Sequence, residues 1–108
     1  RKGDAAEREA AQLLHDLLGW TVRRKLGAGR ADDCGDLDIV ERPDVVVQVC
    51  SRSSDVVAVG VVRKPVEAEQ QRINAGATFA FTMLRVRGGT WRAVLTMEQL
   101  AVLLREAS

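Results

Sequence analysis

Residues 35–50, Gly-Asp-Leu-Asp-Ile-Val-Glu-Arg-Pro-Asp-Val-Val-Val-Gln-Val-Cys, constrain the fold more than any other stretch. Asp36 and Asp38 open an apolar segment, residues 41–44 read as a turn, and a β-prone run follows at 45–49. Only Gln48 interrupts that run. Folded as a hairpin, the two strands bring Asp36 or Asp38 near Gln48. Such a set of oxygens suits a divalent cation. A buried glutamine satisfied by backbone is the plainer reading of Gln48, because a polar side chain in a central strand needs a partner.

The flanking segments supply the rest of the architecture. Ala6, Ala10, Leu13, Leu14, Leu17 and Leu18 recur at helical spacing. Asp4 and Glu7 form a capping-box pattern, and Gly19 ends the run. This predicts an amphipathic helix over 4–18. Glu7 and Glu9 sit at opposite edges of its apolar face; as surface carboxylates near a helix N-terminus they need no further role. A short strand at 20–22 leads into Arg23-Arg24-Lys25, and residues 27–33, with two glycines and Arg30, Asp32 and Asp33, read as a loop. Strands are expected at 36–41 and 44–50. Residues 56–62 suit a strand by their β-branched content and a helix by their context. Pro65 disfavours helical geometry at Lys64 and opens a helix over 65–74. A strand at 78–86, a Gly88-Gly89 hairpin turn and a strand at 91–95 precede a last helix. Thr96 to Gln99 has capping-box spacing there, and Met97, Leu100, Ala101 and Leu104 form its stripe. The order α-β-β-β-α-β-β-α predicts an α/β (α+β) domain: a central mixed sheet of about five strands flanked by helices.

At 108 residues the chain suits a single domain spanning 1–108. No apolar run approaches the ~20 residues a bilayer crossing needs, and no signal-peptide pattern is visible, so the expected location is cytoplasmic. In that setting Cys34 and Cys50, the only cysteines, are expected to be free thiols. Two cysteines and one distant histidine, His15, make a structural zinc site a poor fit. The net charge of +1 excludes nothing; its distribution is more informative. Arg23, Arg24, Lys25 and Arg30 precede Asp32, Asp33, Asp36 and Asp38. Cations beside a carboxylate site are what phosphodiester chemistry requires. Opposite charges that merely solvate a polar loop give the same pattern.

The opening block Arg1-Lys2-Gly3-Asp4-Ala5-Ala6-Glu7-Arg8-Glu9 resembles the N-terminal signature of archaeal-type Holliday junction resolvases in the PD-(D/E)xK nuclease superfamily. Gly19-Trp20-Thr21-Val22-Arg23-Arg24, the glycine-rich 27–29 and the interval from Asp36 to Gln48 continue the resemblance. It runs residue by residue through the first half and by element order through the second. Phage-encoded members of that group are similar. The resemblance implies a restriction-endonuclease-like core and a Mg²⁺- or Mn²⁺-dependent endonuclease acting on branched or double-stranded DNA, working as a homodimer. It implies metal ligation by Glu7, Asp36 and Gln48, with Asp38 as the alternative aspartate. Arg8 and one of Arg23 or Arg24 resemble its phosphate-contacting arginines, and Lys25 and Arg30 extend that basic cluster.

The chain departs from the family at one place. The pattern asks for Glu-x-Lys, and here it reads Gln48-Val49-Cys50. A glutamine carbonyl ligates Mg²⁺ without charge, and Cys50 cannot replace an ammonium. Lys64, on the following helical segment, is the preferred substitute and Arg52 the other. The alternative is a nuclease-fold module that binds and assembles on DNA and cuts weakly or not at all. A redox role for Cys50 has little support, since a cysteine on a buried strand is usually inert.

Overall fold

A computed structural model describes residues 2–25, 34–53 and 57–108, with side chains from Ala5 in the first helix and from Asp36 in the second strand. The expectations on Asp4, Arg30, Asp32 and Asp33 lie outside the described side chains. The elements are α1 (Lys2–Leu18), β1 (Val22–Lys25), β2 (Cys34–Ile39), β3 (Val45–Arg52), α2 (Val57–Val62), α3 (Lys64–Ala75), β4 (Phe79–Val86), β5 (Arg92–Val94) and α4 (Met97–Ala107). The domain is α+β, with one mixed five-stranded sheet in the order β1-β2-β3-β4-β5. β1, β2 and β3 form an antiparallel meander. β3 and β4 run parallel, joined through α2 and α3, and β5 returns antiparallel on β4.

The predicted element order holds, with the crossover helix split in two. The ambiguous 56–62 segment is helical where described. Arg63, with helical φ and ψ, connects it to α3, where Pro65 occupies the first turn. A proline there loses no hydrogen bond, because first-turn N–H groups have no intrahelical acceptor. Gly76, at φ 66°, ends α3 in the left-handed conformation that glycine adopts without Cβ penalty. β1 begins at Val22 rather than Trp20, so Arg23, Arg24 and Lys25 belong to an edge strand. Charged side chains on an edge discourage pairing with another sheet. At the other end of the sheet β5 is shorter than expected and starts after Trp91.

Side chains alternate between the two sheet faces. On one face Leu37, Ile39, Val47, Val49 and Met83 pack against Ala10 and Leu14 of α1. Burying one such aliphatic side chain is worth about 1.5–3 kcal/mol. On the other face Cys50 and Leu84 meet Val57 of α2. Gly60 allows that approach: a Cβ there would lie 2.6 Å from a Leu84 methyl. α4 is capped by Thr96, whose hydroxyl accepts from the Gln99 N–H at 3.2 Å. Gln99 then reaches β4, accepting from Ala80 N at 2.9 Å and donating to Thr78 O at 3.5 Å. No helix among the described residues is long and apolar enough to cross a membrane.

Candidate functional site

The registers place Lys25, Asp36, Gln48 and Thr82 in one row across four adjacent strands. Residues in register share a face, and this face is the one covered by α2 and α3. Asp36 is half-buried and Asp38, two residues along, is exposed. Lys25 Nζ lies 3.4 Å from Asp38 Oδ1. Asp36, Asp38 and Lys25 open into a cleft of about 330 Å³, bounded on the α3 side by Gln71 and Asn74.

Gln48 lies deeper. It is 5% exposed and its carbonyl oxygen has no hydrogen-bond partner among the described residues. Its neighbour Thr82 is fully buried, and its hydroxyl is also without a partner. The Gln48 carbonyl oxygen therefore does not accept the backbone bond that the plainer reading offers it. An unpaired buried polar group costs about 1–3 kcal/mol, so two side by side ask for a ligand or an ordered water. Asp36, Gln48 and Thr82 offer oxygens of the kind a hard cation such as Mg²⁺ takes, with the Lys25 ammonium next in the row.

The other predicted members divide between the faces. Lys64, 4% exposed at the start of α3, is on the Gln48 side of the sheet, and its Nζ donates to Glu67 Oε2 at 2.8 Å. Arg52 ends β3 by alternation on the same face. Glu7 is elsewhere. It is 1% exposed on α1, its Oε1 is 3.9 Å from Arg24 Nη1, and Arg24 is in register with Leu37 of the α1-side core. The sheet thus stands between Glu7 and the Asp36–Gln48 pair. Helical spacing explains it: Ala6, Glu7, Ala10 and Leu14 share the buried stripe. Among the described residues no three His, Cys, Asp or Glu side chains group as metal ligands.

Cys50 corrects the expectation of free thiols. It is fully buried and disulfide-bonded. The register sets Cys34, the chain's other cysteine, directly across from it on β2. The position where the resemblance asks for a lysine is thus a cross-link.

The basic residues distribute around β1. Arg23 is in register with Asp38, and Lys25 with Asp36. Arg24 points to the α1 side, where it lines a separate cleft of about 400 Å³ together with Arg8, Gln12, His15 and Thr21. Nearby, Thr21 donates its N–H and hydroxyl to Glu41 at 2.8 and 2.9 Å. The backbone bond holds the Glu41 carboxyl below its ordinary range, helped by its own N–H, the Thr21 hydroxyl and the charge of His15, against a desolvation that raises it. Arg85 was not foreseen from sequence. Its guanidinium pairs with Glu9, donates to Ser51 Oγ at 3.2 Å and lies 4.4 Å from the Trp91 ring. It gives Glu9 a structural partner. Thr82 was also missed, because only the parallel β3–β4 register brings it beside Gln48.

No family model, curated protein or solved structure matches this chain.

Proposed function

We propose that this domain is a metal-dependent endonuclease acting on branched DNA. The observation that carries the reading is the Asp36–Gln48 pair: a carboxylate at the mouth of a cleft, in register with a buried carbonyl oxygen that has no partner. Asp36 and Gln48 would hold the ion, with Asp38 beside them. Glu7, across the sheet, is not part of this set. A bound Mg²⁺ or Mn²⁺ supplies an activated water and neutralises charge developing on the phosphate. Lys64, buried on the same side of the sheet and ion-paired with Glu67, would be the cation for that chemistry. Arg8, Arg23, Arg24 and Lys25 hold phosphates along the β1 edge. Symmetric cutting calls for two copies. Val61, Val62, Val66 and Ile73, all exposed on the crossover helices, are an apolar surface suited to a homodimer.

A second reading is favoured by two observations. Cys50 is cross-linked where a lysine is expected, and Glu7 is separated from the aspartate. A module that binds junctions without cutting them accounts for both. Incubation of the protein with a labelled four-way junction and Mg²⁺ or Mn²⁺ separates the two. The endonuclease reading expects nicking that chelator abolishes and that Asp36→Ala lowers at least ~100-fold. Binding with no cleavage in either metal, and no chelator effect, overturns it in favour of the module.

A further inference from the structure

We infer that the cleft between α1 and β1 is a phosphate site in which His15 acts as an imidazolium donor, so that its grip on a DNA backbone tightens as pH falls below neutrality. The identity of the ligand as DNA rests on the nucleic-acid reading above. The cleft itself is read from its own residues. Arg8, Gln12 and His15 are spaced i, i+4 and i+7, so they line one face of α1, distinct from the buried stripe. Arg24 of β1 faces them across the cleft; no carboxylate is among the described residues that line it, though Glu7 pairs with Arg24 and Glu41 with Thr21.

The ring nitrogens of His15 are not equivalent. Nδ1 lies 2.8 Å from the carbonyl oxygen of Trp20. A carbonyl only accepts, so Nδ1 carries the hydrogen. In the neutral ring Nε2 is then a lone pair, which repels a phosphate oxygen. In the imidazolium Nε2 is a donor. His15 therefore binds phosphate only when doubly protonated. The charges around it are known. Arg8 and Arg24 line the cleft with it, and Arg24 Nη1 lies 3.9 Å from the Glu7 carboxylate. Glu41, from the β2–β3 turn, interacts with it electrostatically. Asp16, on its own helix, accepts from Gln12 at 2.8 Å. The ring also lies in the last turn of α1. It is the chain's only histidine.

The test is fluorescence anisotropy with a four-way junction over a salt series at pH 5.5 and 7.5, on wild type and His15→Asn. The asparagine amide can keep the donor to Trp20 O and has no counterpart of Nε2. Wild type is expected to bind roughly three- to fivefold tighter at pH 5.5, the size of one exposed ion pair. Its slope of log K against log salt should steepen by about 0.9. His15→Asn should match wild type at pH 7.5 and show neither change. A junction-binding protein whose pH response is absent, or survives in His15→Asn, overturns the inference and leaves the nucleic-acid reading intact. A second readout uses no DNA: the ring proton resonances of His15, titrated with inorganic pyrophosphate at pH 5.5. If the junction does not bind at all, the nucleic-acid reading falls. The phosphate site then stands if pyrophosphate shifts the ring in wild type and not in Arg8→Ala, and falls if the ring does not respond.

Discussion

Gln48 is the residue on which the chemistry turns. It is buried in the middle strand between Asp36 and Thr82, with its carbonyl oxygen unpaired among the described residues. That state is poor for stability and useful for a ligand. Gln48→Glu sharpens the contrast. A carboxylate there has no paired cation within its row except through Asp36's neighbour Lys25. Without metal the variant should be less stable by about 1–3 kcal/mol, the cost of an uncompensated buried polar or charged group. With Mg²⁺ the loss should be recovered and exceeded, since charge strengthens ligation. Urea unfolding with and without Mg²⁺ checks this; a variant indifferent to Mg²⁺ contradicts the cation site. Asp36, Gln48 and the anomaly at Cys50 were legible in the chain because they fall within one local motif. Thr82 and the proton on His15 Nδ1 were not. One depends on a strand thirty-four positions away, and the other on a backbone carbonyl beyond a helix end.

At the scale of elements, periodicity was informative where burial is one-sided. α1 and α4 form where apolar residues recur at helical spacing, although Leu17 and Leu18 of the expected α1 stripe and Met97 and Leu104 of the expected α4 stripe are exposed, and the hairpin of β2 and β3 follows from its turn. β1 was expected at 20–22 and is found at Val22–Lys25, so the charged residues the strand was expected to run into belong to the strand itself. Residues 57–62 adopt a helix against their β-branched composition because α2 and α3 together must return the chain to a parallel strand. Gln99 shows a different kind of contact. Its amide pairs with the β4 backbone before β5 begins, doing for Ala80 and Thr78 what another strand would do. Gln99→Leu keeps the bulk and removes the bonds. It should cost about 1–3 kcal/mol by stranding the Ala80 N–H, measured as a lower unfolding midpoint with unchanged slope. An unchanged midpoint would mean that water replaces the side chain there.

At the scale of the molecule, the near-neutral net charge conceals a polarised edge. β1 presents Arg23 and Lys25 towards the Asp36 cleft and Arg24 towards the His15 cleft. A backbone following this edge meets cations on both sides of the sheet, with the carboxylates set behind them. Arg23→Ala and Lys25→Ala should each weaken junction binding and lower its salt slope by about 0.9, one phosphate contact apiece. Slopes that do not change would place the nucleic acid elsewhere. Element order and the β2–β3 and β4–β5 hairpins were readable from the sequence; the β3–β4 register and the division of Glu7 from Gln48 by the sheet were not, because they depend on the parallel crossover and on which face α1 covers.

The central claim is a divalent cation held between Asp36 and Gln48. Anomalous diffraction from crystals soaked in Mn²⁺ tests it most directly. The prediction is one peak within about 2.0–2.4 Å of an Asp36 carboxylate oxygen and the Gln48 carbonyl oxygen. A peak elsewhere, or none at a Mn²⁺ concentration that supports DNA cleavage, would contradict it.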